Sequence, residues 1–428
     1  MVPRPVDPSS VLARLPVDAG VAVLRDGDRT FVCAAPAEVR VASGGEAFAA
    51  LDSIERDGGF WAGFLSYDLG RSVERIIPST TDDLGLPDLA FARFPARLVL
   101  TPGAPPAVEG DGPGIEMLER AVWQARGGGQ RSVPPPRLSG WRSSLDEAGW
   151  SQRVDAILDL LAAGECYQVN LTRRLTVGEA ADPIALFAAL ARDNPAPHAC
   201  LVAFGVDSPI DATIVSASPE RFLSVNGRDV ETRPIKGTDS DAARLAASAK
   251  DRAENVMIVD LARNDLGRVC EHGSVRTDAI FELEAHPGLF HLVSTVRGRL
   301  RSDVGISELV RATFPPASVT GAPKPRVLQA IEDLEPLRRG VYCGAVGWID
   351  SDLRRADLAV AIRTFTITHG ATHLGVGGGI VADSDPTAEW RETQLKAARL
   401  LEAAGRGASP RHEFGAARAA LPRRRAGS

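Results

Sequence analysis

Between residues 20 and 101 the apolar positions come in short runs: GVAVLRD, RTFVCAA, GFWAGFLSYDL and ARLVLT. Gly, Asp and Pro break them, and runs of that length between turn residues predict strands. Two Pro/Gly-rich stretches follow, TPGAPPAVEGDGPG and RGGGQRSVPPP, which read as loops around one helix over about 115–125. The pattern then changes. Trp150, Val154, Ile157, Leu158 and Leu161 recur at helical spacing, Ser144 and Glu147 have capping-box spacing, and Gly164 suits the helix end. CYQVNLTRRLTV alternates with period two and predicts a strand. Irregular alternation of strands and helices continues to about residue 403. These breaks predict an N-terminal lobe over 1–135, a main catalytic lobe over 136–404 and a disordered tail over 405–428.

Composition narrows the class. The chain has 428 residues, 44% of them hydrophobic, ample for a large core. Its 49 Lys and Arg stand against 55 Asp and Glu, without the clustered basic face that nucleic-acid binding needs. No apolar run is long enough to span a bilayer, and the start MVPRPVDPSS has no apolar signal core, so a cytoplasmic location is expected. Cys33, Cys166, Cys200, Cys270 and Cys343 are scattered, which argues against a zinc or redox site. Only four basic residues are lysines: Lys236, Lys250, Lys324 and Lys396. A coding bias that favours Arg explains this by itself; under such a bias a retained Lys also fits places where an amine that can lose its proton is useful.

Several patterns could carry chemistry. Asp385 and Pro386 open a helix on which Glu389, Glu392 and Lys396 fall on one face. A second helix, about 250–263, places Asp251 and Glu254 at i and i+3. Two acid pairs on two helices can hold one hard cation, since magnesium takes a few carboxylates, waters and substrate oxygens; spacing alone equally fits solvated helix faces. GVGGGIV, over 375–381, could cradle an anionic group with backbone N–H donors, but it is not a dinucleotide fingerprint, because Ile380 stands where the last glycine would be. RPIKGT holds Lys236 between Pro and Gly, and SASPERF sets Glu220 on a turn after a strand. A Lys of lowered pKa can act as nucleophile and a protonated carboxyl as general acid, although each alone also fits a surface ion pair.

From about 144 to 401 the chain resembles the chorismate-binding enzymes. The resemblance rests on GECYQVNLTRR, SASPERFL, RPIKGT, ENVMIVDLARNDLGRV, FHLVSTVRG, FPPASVTGAPK, YCGAVGWID, LAVAIRT and GVGGGIVADSDPTAEWRETQLKA, in that order, and more weakly on FWAGFLSYDLG. It implies an α+β fold of the anthranilate-synthase type: two large, mostly antiparallel sheets in a sandwich, with helices outside and the site in a cleft. It implies Mg2+ as cofactor, with Glu254 and Glu392 as ligands and Asp251 and Glu389 holding its waters. Tyr342 and Arg363 match the grip on the enolpyruvyl carboxylate; DSDLRRAD lengthens the hairpin between them by one residue. His291 and Thr320 line the same cleft. A loop around Gly377 and Gly378, with Lys396, faces the ring carboxylate, and Glu220 matches the acid that protonates the departing C4 hydroxyl.

Two positions separate the branches of that family. Gln168 stands where the isochorismate- and salicylate-forming enzymes look for a water-activating lysine. Lys236 stands where anthranilate-forming enzymes carry a small residue, and in the branch that aminates C4 this lysine is thought to attack ring C2. The resemblance therefore implies amination of chorismate to 4-amino-4-deoxychorismate, towards 4-aminobenzoate and folate; anthranilate synthase component I is the alternative. The chain holds no glutaminase motif, so ammonia is expected from a separate glutamine amidotransferase subunit.

Overall fold

The structure, a computed structural model, describes residues 6–127, 133–239, 241–286 and 289–405. The tail expected to be disordered lies, beyond Gly405, outside the described residues. Two large sheets stack face to face, and among the described residues every strand-to-strand pairing within them is antiparallel. The first sheet runs in the order Gly321–Ala322, Gln168–Val177, Ala371–Ile380, Thr364–Thr368, Thr213–Ser218, His198–Ala203, Val21–Asp26, Arg29–Ala34, Ala96–Leu100, Ala107–Gly110. The second runs Ile235–Asp239, Leu289–Arg299, Asp229–Arg233, Arg221–Asn226, Arg355–Val360, Ala345–Asp350, Phe60–Leu65, Leu89–Arg93, Glu38–Ala42.

Period-two alternation builds the sandwich. On Val21–Asp26, Ala22 and Leu24 face the opposite sheet, where they join Phe64, Ala92 and Trp348, while Val21 and Val23 face outward onto helices. Phe31 of the first sheet packs edge-on against Trp348 and Phe60 of the second, with ring centroids 5.7 and 5.5 Å away, tying the two sheets together. Strands from the predicted N-terminal and main lobes interleave: Val21–Asp26 pairs with His198–Ala203, and Phe60–Leu65 with Ala345–Asp350. Sheet edges left open are sticky; the pairing across residue 135 closes them within one pair of sheets.

Local signals place the elements that carry the site. The Glu147–Ala162 helix is capped by Asp146, whose carboxylate accepts from the Gly149 N–H. The expected cap, Ser144, instead uses its hydroxyl to accept from the Arg174 N–H. Asp is as good a cap as Ser and stands one residue before the helix, so it takes the role. The Pro386–Ala404 helix begins as expected, with the Asp385 carboxylate accepting from the Ala388 N–H and Pro386 in the first turn. The stretch expected as a loop after Leu100 contains a short edge strand, Ala107–Gly110. GVGGGIV is not a loop either. Gly375 to Ile380 belong to the strand Ala371–Ile380, which pairs with Gln168–Val177 through that whole stretch but leaves Thr364–Thr368 after Leu374. Its other edge is thus open to the cleft.

Candidate active site

Five segments meet beside that open edge. Glu220 follows the strand Thr213–Ser218 and is 4% exposed. Its carboxyl accepts from the Ser318 hydroxyl and the Ile235 N–H, but burial outweighs both these bonds and the nearby Lys236, and pushes its pKa up from 4.5 to about 7. A carboxyl half-protonated at neutral pH is a general acid in waiting. Lys236 lies on Ile235–Asp239, and its Nζ donates to the Ser318 carbonyl at 3.2 Å. Burial lowers its pKa, against the pull of Glu254 and Glu220. Ser318 therefore touches the amine with its carbonyl and the acid with its hydroxyl. Sequence reasoning missed it, although it sits inside FPPASVTGAPK.

The next residue, Gly237, has φ of +81°, and a Cβ there would lie 2.9 Å from the Asp251 Cβ. Glycine is what lets this strand turn tightly against the helix Ala249–Gly267, which carries Asp251 and Glu254. Facing them, the Pro386–Ala404 helix presents Glu389 and Glu392. Glu389 is 6% exposed and accepts from the Ser384 hydroxyl at 2.6 Å; burial raises its pKa, and Glu392 adds to the rise. Glu392 pairs with Lys396 at 2.7 Å, and that amine, with help from Lys250 and Lys236, outweighs burial and lowers its pKa. Glu254 is raised, first by burial, with Asp251 and Glu392 adding repulsion. Gly378 forms the floor: a Cβ there would stand 3.4 Å from Glu389 Oε2, 3.8 Å from Lys396 Nζ and 4.0 Å from Glu392 Oε1. The Gly377 carbonyl accepts from Lys396 Nζ at 3.0 Å.

The remaining expected residues surround this centre. Thr320 is fully buried, its hydroxyl donating to the Pro316 and Ala317 carbonyls. His291, 2% exposed, pairs through its strand with Thr238 of the RPIKGT strand. The Tyr342 ring lies flat on Gly375, where a Cβ would fall 2.2 Å from ring carbons. Arg363 has φ of +51°, and burial, reinforced by Arg399, depresses its pKa; no carboxylate compensates it among the described residues. Gln168, 1% exposed, aims its amide at Gly379, and its Oε1 is buried without a partner. A buried ion pair braces the wall: Arg339 holds Glu335 at 2.7 Å and donates to the Asn170 and Val319 carbonyls, while Glu335 accepts from the Thr172 N–H.

Among the described residues no three His, Cys, Asp or Glu side chains form a metal cage by themselves. The donor set still fits magnesium. Glu254 and Glu389 are acids that burial and their acidic neighbours leave short of positive charge, and magnesium asks for only one or two carboxylates plus waters and substrate oxygens. No helix of the described residues is long and apolar enough to cross a membrane, and all five cysteines are buried and free.

Comparison with known proteins agrees with this geometry. Residues 20–402 match the family model described as chorismate binding enzyme. A protein named aminodeoxychorismate synthase component 1 from Klebsiella aerogenes is 38% identical over 355 residues, covering 79% of this chain and 76% of its own length. One named anthranilate synthase component 1 from Streptomyces coelicolor is 36% identical over 374 residues, covering 80% and 72%. The crystal structure of anthranilate synthase component I from Streptococcus pneumoniae superposes with a TM-score of 0.75 at 28% identity, over 87% of this chain and 92% of that one. With its two antiparallel sheets, its acid-lined cleft and a family match over nearly all its length, the chain belongs to the chorismate-binding enzymes.

Proposed function

We propose that the protein aminates chorismate at C4, giving 4-amino-4-deoxychorismate for 4-aminobenzoate and folate synthesis. The observation that carries this reading is the pairing of a half-buried, pKa-lowered Lys236 with a buried Glu220 of pKa about 7, both held by Ser318. The Lys236 amine forms a bond to ring C2 while both ring double bonds shift, C1=C2 to C1=C6 and C5=C6 to C4=C5, and the C4–O bond breaks. Glu220 gives its proton to the departing hydroxyl, which leaves as water. Ammonia then adds at C4, both double bonds shift back, the C2–N bond to Lys236 breaks, and the proton lost from the new ammonium returns to Glu220. Tyr342 and Arg363 hold the enolpyruvyl carboxylate, with Arg363 supplying a cation that no acid among the described residues claims. His291 and Thr320 line the ring pocket, and Gly377, Gly378 and Lys396 face the ring carboxylate.

Glu254 and Glu392, with Asp251 and Glu389 behind them, would hold Mg2+. Bound there, the ion supplies positive charge that neutralises the ring carboxylate and eases loss of the hydroxyl. Ammonia comes from a glutamine amidotransferase subunit. This rests on the component 1 names of the relatives.

The test is product identity. The purified chain with chorismate, Mg2+ and ammonium salt should form aminodeoxychorismate, identified by mass and by conversion with a downstream lyase, and should not use glutamine alone. Lys236→Ala should lose most C4 amination, and Lys236→Arg all activity, because a guanidinium stays charged and cannot attack carbon. Anthranilate from the wild-type chain would favour the anthranilate synthase reading. Wild-type rates from Lys236→Ala would remove the nucleophile role.

A further inference from the structure

Beside the cleft lies a small cavity, partly open to solvent, whose walls include Arg173, Arg174, Arg338, Arg339, Glu335 and Tyr342. Lys236, Glu220, Glu254, Glu392 and Arg363 do not line it; Tyr342 is the wall it shares with the proposed substrate site. Its charges do not balance. Glu335 takes Arg339 and Asp82 takes Arg338, each at 2.7 Å, and Asp83 takes Arg174. Arg173 has no carboxylate among the described residues, yet it is 2% exposed.

The contacts that Arg173 does make are neutral. Its Nε donates to Thr393 Oγ1 at 3.1 Å and its Nη1 to Ser143 Oγ at 2.9 Å, while its face stacks over Trp390 at 4.2 Å. Stacking covers the face of the guanidinium and leaves the in-plane N–H groups of Nη2 without a partner. Arg174 Nε and Arg338 Nε are likewise buried and unpartnered. Three unmet guanidinium nitrogens thus belong to residues lining one small cavity. A buried charge with no counter-charge is costly, and burial already depresses the Arg173 pKa to about 10. The planar N–H fork of arginine matches the two oxygens of a carboxylate or phosphate.

We infer that this cavity is a binding site for a small oxyanion, a carboxylate or a phosphate, held by Arg173 with Arg174 and Arg338. Binding there does not depend on the proposed reaction. An effect on chorismate would depend on it, through the shared Tyr342 wall.

The test uses the full chain without chorismate, so its failure is separable from failure of the proposed chemistry. Melting temperature is followed against phosphate and, separately, acetate, at constant ionic strength. A saturable rise is expected in the wild type, and the anion with the lower half-saturation identifies the ligand class. Arg173→Gln should weaken that half-saturation by about ten- to a hundredfold, the loss of a charge-assisted bond. Should Arg173→Gln fail to fold, Arg338→Gln, which does not touch Trp390, replaces it and should weaken binding severalfold. No saturable rise in the wild type overturns the site. Equal half-saturation in the wild type and the folded variant shows an adventitious ion only, and overturns it too.

Discussion

Replacing Glu220 by Gln separates catalysis from stability in one experiment. The glutamine keeps the volume and still accepts from the Ser318 hydroxyl and the Ile235 N–H, but it has no acidic proton to give. Loss of a general acid is worth about 100- to 10,000-fold in rate. In the wild type, an acid of pKa about 7 is half-protonated near neutrality, so the rate at constant free ammonia should fall about tenfold per pH unit above that point. The variant should lose this limb. Stability should move the other way. Between pH 4.5 and about 7 the folded state keeps a proton that the unfolded chain has released, so stability falls as pH rises through that window. At about 1.4 kcal/mol per pH unit, the gap between 4.5 and about 7 is worth roughly 3 kcal/mol. Glu220→Gln has no such titration, so its stability relative to wild type should grow by roughly that amount from pH 4 to pH 8. Urea unfolding of both proteins at the two pH values measures this. A constant difference in stability, or an unchanged descending limb in the variant, would refute the assignment of a buried, protonated acid.

Three other outcomes follow from the geometry. Glu392→Gln removes a carboxylate from the acid cluster and the partner of Lys396, and should raise the magnesium needed for half-maximal rate by about tenfold or more; an unchanged magnesium titration would mean the ion is held elsewhere. Gly375→Ala drives a methyl into the Tyr342 ring, which must move; overpacking of this kind costs about 1–3 kcal/mol, and KM for chorismate should rise more than kcat falls. Glu335→Gln leaves Arg339 buried and unpaired and should destabilise the protein by about 3–5 kcal/mol in denaturant unfolding; a loss below about 1 kcal/mol would show that water reaches the pair.

The sequence by itself determined what local rules control. Strands such as GVAVLRD were legible because each is a short apolar run bounded by turn residues, and the Pro386–Ala404 helix because Asp385, Pro386 and the carboxylate spacing mark its start. The nine motif runs carried the family, since residues that hold a reacting ligand tolerate little change of type or spacing. The chemistry of Lys236 and Glu220 was visible only as residue types; alone, either could have been half of a surface ion pair. Tertiary structure decided the rest. It showed that the strands on both sides of residue 135 interleave in the same two sheets, because strand pairing is set by edges and register that no local window contains. It turned GVGGGIV from a loop into a strand with one open edge, because whether Gly375–Ile380 extends depends on the partner Gln168–Val177 lying alongside. It placed Ser318 between amine and acid and left Arg173 buried without a counter-charge among the described residues. Burial and distance are sums over residues far apart in the chain, and they alone shift a carboxyl from 4.5 to about 7.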